Sequence, residues 1–260
     1  MKTNYIQCGD CLDLLRDLPD ECIDLTVTSP PYDDLRLYKG FSWDFESIAK
    51  ELFRVTKMGG VVVWIIADAT VKGSETGTSF RQALYFKEIG FNLHDTMIWD
   101  KCGFTATGSL KVRYGSVFEY MFILSKGKIK TFNPIKDRKN KYAGKRKTGS
   151  IRKKDGTTKP MSSQGRVFSE YGQRFNIWRF SPVGKNKTSH PAVFPLQIAK
   201  DHILSWSNEN DIVLDPFIGS GTTAIAAIRT NRQFVGFEIS PEYCDMANRR
   251  IENEQISNIQ

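Results

Sequence analysis

Long apolar runs are scarce in this chain of 260 residues: the longest, Val61 to Ala67, is far too short to span a bilayer. The opening residues Met1-Lys2-Thr3-Asn4-Tyr5 lead into a strand pattern without a signal-peptide core, so a cytoplasmic location is expected. Cysteine is sparse too. Its five residues, an odd number without regular spacing, fit reduced thiols rather than a disulfide framework. Cys8 and Cys11 do form a C-x-x-C, but no second pair or histidine partner completes a zinc set, and no metal is expected. No internal repeat is visible.

What the chain does have is the composition of a globular protein, with 40% apolar, 25% charged and 12% aromatic residues. Its length suits one large domain or one domain with an insertion. The net charge is +8, and it is unevenly placed. Between Lys126 and Lys159 fourteen Lys or Arg face two acids, Asp137 and Asp155, so this stretch carries +12 and the remainder is slightly acidic. A short charge run is usually a solvated face, but an excess confined to one insert favours a polyanionic partner.

Hydrophobic periodicity predicts alternating strands and helices. Tyr5 to Cys8 reads as a strand, Leu12 to Leu18 as a short helix stopped by Pro19, and Ile23 to Val27 as a buried strand. Phe45 to Val55 has helical spacing, with Gly59-Gly60 expected to end the helix, and Val61 to Ala67 follows as a strand buried on both faces. A helix at about Phe80 to Ile89 precedes two strands, Leu93 to Trp99 and Val117 to Leu124, expected to pair as an antiparallel edge hairpin. The basic insert has few large apolar residues, and much of it is expected to be mobile without its partner. Order resumes near Phe175, with a helix over Leu196 to Trp206, a strand over Ile212 to Asp215, a turn and helix over Gly219 to Arg229, a strand over Phe234 to Phe237 and a last helix begun by Pro241. Strand and helix in alternation imply a mostly parallel sheet with right-handed crossovers.

Two motifs carry chemistry. Ser29-Pro30-Pro31-Tyr32 closes the strand ending at Val27, where a parallel strand delivers its carboxyl end to a ligand. The two prolines fix φ, donate no N–H and push Ser29 to an extended conformation, leaving rigid carbonyl acceptors beside a hydroxyl and an aromatic face. Such a cluster can hold a flat group bearing an NH2; the plainer alternative is a proline-rich strand exit with a packed tyrosine. The second motif, Asp215-Pro216-Phe217-Ile218-Gly219-Ser220-Gly221-Thr222-Thr223-Ala224, is a strand–turn–helix with glycines where backbone must approach a ligand. A P-loop would need lysine where Thr222 stands. A dinucleotide site with Glu238 on ribose hydroxyls and an S-adenosylmethionine site remain open on this motif alone.

Taken together, the two motifs resemble those of the amino-methylating DNA methyltransferases, which modify the exocyclic nitrogen of cytosine or adenine. Their order, catalytic motif first, resembles the permuted beta group. Gly9-Asp10, Gly59-Gly60, Phe118-Glu119-Tyr120 and His190-Pro191-Ala192-x-Phe194-Pro195 have counterparts there; the basic insert does not, being where members differ in target sequence. The resemblance implies a Rossmann-like α/β methyltransferase fold. Its catalytic half is 1–125, its target-recognition insert 126–175 and its cofactor-binding half 176–260.

It further implies that S-adenosyl-L-methionine is held by Asp10, at the adenine amino group, by Asp215, Phe217, Gly219, Ser220, Gly221 and Thr222, and by Glu238, on the ribose. The His190 to Pro195 segment would close over the methionine end. Double-stranded DNA would be gripped by Lys139, Lys141, Lys145, Arg146, Lys147, Arg152, Lys153 and Lys154. Ser29, Pro30, Pro31 and Tyr32 would be catalytic: Ser29 Oγ and the Pro30 carbonyl accept from the amino group, Tyr32 stacks on a flipped base, and the methyl is transferred directly. A carbon-5 cytosine enzyme would need a Pro-Cys nucleophile, which is absent. Serine rather than aspartate at the first motif position, and the His-Pro-Ala-x-Phe-Pro phrase, lean toward cytosine N4 over adenine N6. Asp33 and Asp34 are further candidate proton acceptors. A cognate restriction endonuclease and a monomeric or homodimeric state are compatible with this reading. The rivals are a nicotinamide oxidoreductase, an inactive DNA-binding module and an RNA methyltransferase.

Overall fold

The structure, a computed structural model, describes residues 1–32, 43–103, 110–182 and 194–257. The chain divides into two compact units, Met1–Asn133 with Asn176–Gln260, and Pro134–Phe175.

In the larger unit the elements run β1 (Tyr5–Cys8), α1 (Cys11–Arg16), β2 (Ile23–Thr28), α2 (Phe45–Val55), β3 (Thr56–Ile66), β4 (Thr70–Val71), β5 (Ser74–Glu75), α3 (Thr78–Glu88), β6 (Asn92–Asp100) and β7 (Phe118–Ser125). The smaller unit holds β8 (Arg138–Lys139), β9 (Ser150–Arg152), β10 (Thr158–Pro160) and β11 (Tyr171–Gly172). The larger unit then resumes with β12 (Ile177–Arg179), α4 (Leu196–Trp206), β13 (Ile212–Asp215), α5 (Thr222–Ile228), β14 (Gln233–Glu238) and α6 (Pro241–Ser257). Eight strands form one sheet in the order β1-β14-β13-β2-β3-β7-β6-β12. Every neighbouring pair is parallel except those made by β7, which runs antiparallel to both β3 and β6. The expected antiparallel hairpin is therefore present, with β12 added outside it.

Alternation along β3 explains the two-layered core. Val62, Trp64 and Ile66 pack with Leu15, Ile48, Leu52 and Phe86 from α1, α2 and α3 on one face. Val61, Val63 and Ile65 are equally buried on the other. There α4 and α5 pack together, and α4 meets β2 and β3. A parallel strand covered by helices on both sides has no solvent face, so its sequence is apolar throughout. The pairing of β13 with β2, Val213 opposite Leu25 and Leu214 opposite Thr26, joins the two halves of the chain at the centre of the sheet.

Gly59-Gly60 does not end a helix. α2 stops at Val55, with Thr56 as its C-cap, and the glycines lie inside β3 where the register with β2 jumps from Ile23–Thr56 to Leu25–Val61. The pair makes room for this bulge: a Cβ on Gly60 would stand 2.9 Å from the Asp24 carbonyl oxygen and 3.0 Å from that of Lys57. Lys57 Nζ closes the bulge on the Asp24 carboxylate at 2.6 Å.

In the smaller unit the backbone pairs with itself without a large apolar core. β8 pairs with β11 and β9 with β10, both antiparallel, and Lys147 N–H reaches the Arg166 carbonyl at 2.8 Å between them. Asp137 accepts from Arg174, with Nε to Oδ2 at 3.0 Å. Polar bonds thus give the insert regular structure that hydrophobic patterning does not signal.

Gly60→Ala is expected to destabilise the protein by about 1–3 kcal/mol, because two backbone carbonyls must move to admit the methyl. Urea unfolding monitored by tryptophan fluorescence would check this; an unchanged midpoint would show that the bulge relaxes freely.

Candidate active site

The strand order brings the carboxyl ends of β1, β14, β13, β2 and β3 to one edge of the sheet, and the motif residues gather there. At the centre is Asp215, 2% exposed. Thr28 Oγ1 donates to its Oδ1 at 2.7 Å, Phe217 N–H to the same oxygen at 3.1 Å, and Thr223 Oγ1 to Oδ2 at 2.6 Å. Burial pushes this carboxyl up to about 6, against the three hydrogen bonds that favour its charged form. Asp215, expected to touch the cofactor, is thus placed as the tie between the end of β2, its own turn and the start of α5.

The turn after Asp215 is shaped by two glycines in the left-handed region, Gly219 at φ +51° and Gly221 at +85°. A Cβ on Gly221 would lie 3.1 Å from that of Ala247 on α6, so the turn is pressed against a helix on its inner side. Ser220 is 2% exposed and faces inward: Arg250 Nη1 donates to its Oγ at 2.9 Å and also to its carbonyl. Thr222 is buried at the first turn of α5. Phe217 remains partly exposed, its ring 5.3 Å from Trp43 and edge-on to it. Trp43 has no motif to announce it.

Glu238 ends β14 beside this turn. Its Oε2 accepts from Gly219 N–H at 3.0 Å and its Oε1 from Ser240 N–H at 2.9 Å, while burial raises its pKa. Each carboxylate oxygen keeps lone-pair capacity for a diol. Gly9 N–H donates to the Glu238 carbonyl at 2.9 Å, which brings Asp10 alongside; Asp10 Oδ1 caps α1 through Leu12 N–H at 2.7 Å. A fixed carboxylate, a glycine turn open on one side and an aromatic face suit an adenosine with free ribose hydroxyls.

The Ser-Pro-Pro-Tyr stretch follows β2, the strand paired with β13, and its hydroxyls are wired in a chain. Tyr32 OH donates to Glu119 Oε2 at 2.6 Å, and Ser29 Oγ stands 2.8 Å from Tyr32 OH. Glu119, at the start of β7 and 7% exposed, is paired through Oε1 with Lys101 Nζ at 2.5 Å. An ionised carboxylate accepts only, so Tyr32 donates to it, and Ser29 in turn donates to Tyr32. Ser29 Oγ is left with its lone pairs for an incoming N–H. Lys101 escaped sequence reasoning because an ion pair between strands a loop apart has no local signature.

The eight basic residues assigned to DNA lie in the smaller unit. Lys139, Lys141, Lys145, Arg146, Arg152, Lys153 and Lys154 are exposed and Lys147 is half-buried. Aromatic rings sit among them: Lys145 Nζ is 5.7 Å from the Tyr142 ring centre and Lys147 Nζ 5.1 Å from that of Phe168. His190, Pro191, Ala192, Asp33 and Asp34 fall outside the described residues.

The raised pKa of Asp215 fixes a sign. The folded state binds this proton more tightly than the unfolded chain, so stability falls as pH rises from about 4 through 6 and is level above. Urea unfolding from pH 4 to 7 should show wild-type stability declining relative to Asp215→Asn across that window. Parallel pH profiles of the two proteins would contradict this.

Comparison with known proteins identifies the family. The family described as DNA methylase, of the N6/N4 type, matches residues 23–249. The orphan methyltransferase M.BamHII of Bacillus amyloliquefaciens is 58% identical over 262 residues, covering 97% of this chain and 92% of its own. The DNA adenine methyltransferase YhdJ of Escherichia coli (strain K12) is 31% identical over 260 residues, covering 94% and 81%. TTHA0409 of Thermus thermophilus, solved in complex with S-adenosyl-L-methionine, matches with a TM-score of 0.65 and 25% identity over 96% of this chain and 94% of that one. The nicotinamide reading is thereby set aside. The chain belongs to the N6/N4 DNA methylase family and is a DNA methyltransferase that uses S-adenosyl-L-methionine.

Proposed function

We propose that the enzyme methylates the exocyclic N4 of cytosine within a specific duplex sequence, after the base has been turned out of the helix. The observation that carries this reading is the Ser29–Tyr32–Glu119–Lys101 chain. An exocyclic amino nitrogen is a poor nucleophile because its lone pair is delocalised into the ring. Ser29 Oγ, made an acceptor by its own donation to Tyr32, takes one N–H of the amino group, and the Pro30 carbonyl takes the other. Both bonds favour a pyramidal nitrogen whose lone pair is free to attack. Bound S-adenosyl-L-methionine would supply the electrophilic methyl on its sulfonium, its S–CH3 bond breaking to leave a neutral thioether as the N–CH3 bond forms, and the surplus amino proton would be lost to water. Positioning of this kind can lower a barrier by up to roughly 7–11 kcal/mol. Glu119 and Lys101 act through Tyr32, fixing its ring for stacking and its hydroxyl for Ser29.

Serine at the first motif position presents a neutral acceptor, and this residue together with the family resemblance supports cytosine. Adenine N6 is the second reading, favoured by the 31% identity to a relative named as an adenine enzyme. The glycine turn, Phe217, Glu238 and Asp10 hold the adenosine half of the cofactor, with Asp215, Ser220 and Thr222 shaping the turn beneath it. The basic insert grips phosphate and reads sequence, offsetting a base-extrusion cost of about a few kcal/mol.

Incubation with cofactor and mixed-sequence DNA, followed by digestion to nucleosides and mass spectrometry, should yield N4-methyldeoxycytidine; N6-methyldeoxyadenosine would overturn the choice of base. Ser29→Ala and Glu119→Gln should each lower kcat far more than they weaken cofactor binding. Equal loss of both would make these residues structural. Replacing Lys145 and Arg146 together by alanine should reduce the slope of log affinity against log salt by about 2, near 0.9 for each lost phosphate contact.

A further inference from the structure

The connection between β6 and β7 carries residues that methyl transfer leaves unused. Because β6 runs parallel to β3, it ends at Asp100 on the same sheet edge as Ser29 and Tyr32. Lys101 N–H donates to the Val117 carbonyl at 2.8 Å and closes the neck of the connection. The same neck supplies Lys101 and Glu119, the pair that holds Tyr32. Beyond it the described residues are Cys102-Gly103 and Leu110-Lys111-Val112-Arg113-Tyr114-Gly115-Ser116.

Arg113 pins this segment to the turn between β4 and β5, which follows β3 on the same edge: Nη1 donates to Thr70 Oγ1 at 3.0 Å and Nη2 to the Gly73 carbonyl at 2.7 Å. The backbone is anchored, yet Tyr114 is 99% exposed and Val112 81%. An anchored segment that holds a tyrosine wholly in water gains nothing in folding from the ring. Its neighbours set the chemistry of what it meets. Lys111 and Arg113 flank it, Lys72 lies in the pinned turn, and Glu75 is the one acid in these two segments, so the excess is positive. A ring among cations fits a nucleic acid, where phosphates meet the charges and a base meets the ring.

We propose that this pinned segment is a second DNA contact, separate in the chain from the basic insert, and that Tyr114 enters the base stack beside the target. There it fills the gap left when the target base is extruded into the Ser29–Tyr32 site. Lys111, Arg113 and Lys72 lie along the adjacent phosphates. The inference rests on the base-flipping reading above, and the experiment separates the two.

The probe is a duplex carrying the site the enzyme methylates, with 2-aminopurine immediately 3′ of the target base. Wild-type enzyme should raise its fluorescence on binding, and Tyr114→Ala should raise it much less. On duplex DNA Tyr114→Ala should lose about 5- to 150-fold in kcat/KM, the range for one base–aromatic stack. On the same duplex with the target base mismatched, already partly unstacked, it should approach wild type. Tyr114→Phe should behave as wild type in both. The fully exposed side chain makes unchanged thermal unfolding the control for folding. Equal fluorescence from wild type and Tyr114→Ala, or equal loss on paired and mismatched DNA, would overturn the inference alone. A shift in oligomeric state on sedimentation with unchanged DNA response would also overturn it, assigning Tyr114 to a subunit contact. No rise with the wild type would overturn base flipping, and the inference with it.

Discussion

The buried carboxylate of Asp215 is the constraint on which the site depends. Withdrawing a carboxylate from water is costly unless donors replace the lost hydration, and here Thr28, Phe217 and Thr223 do so. They come from the end of β2, the turn after β13 and the first turn of α5. Satisfying one group therefore fixes three backbone segments relative to one another. Thr28 immediately precedes Ser29, so the position of Ser29 is set by the same carboxylate that sets the glycine turn. Burial raises its pKa to about 6, and the three hydrogen bonds offset only part of that rise.

A second network holds Ser29 and Tyr32 from the other side. The Tyr32–Glu119–Lys101 chain reaches from the residues after β2 across β3 to the neck between β6 and β7. Where Asp215 sets position, this chain sets direction: it decides which of the hydroxyls at Ser29 and Tyr32 donates and which is left to accept. A neutral serine would otherwise donate or accept with equal ease. The fold thus converts an ambiguous side chain into a committed acceptor by ending the relay on an ion pair of little exposure.

Much of this architecture was legible locally. The α4 span and the β13 and β14 strands follow from apolar periodicity, and the left-handed Gly219 and Gly221 follow from a turn that must bend tightly beside α6. Gly59-Gly60 misled, because a glycine pair after a helical run signals a C-cap as readily as a bulge. Only the pairing of β3 with β2 shows that the space is needed for the Asp24 carbonyl. The pairing within the insert was not legible, because it rests on hydrogen bonds that leave no hydrophobic pattern to read.

By itself the sequence determined the alternating α/β class, the two motif loops, the acidic end of β14 and the concentration of positive charge, because each is a property of residues close together in the chain. The tertiary structure decided which motif residues turn into the protein and which stay partly open at the sheet edge. Asp215 and Ser220 turn inward, Ser29 is made an acceptor, and Lys101, Trp43 and Tyr114 join the same sheet edge or its surroundings. Those outcomes hang on partners up to 187 positions away. Hydrogen bonds and ion pairs at that separation depend on strand order, which no local pattern encodes.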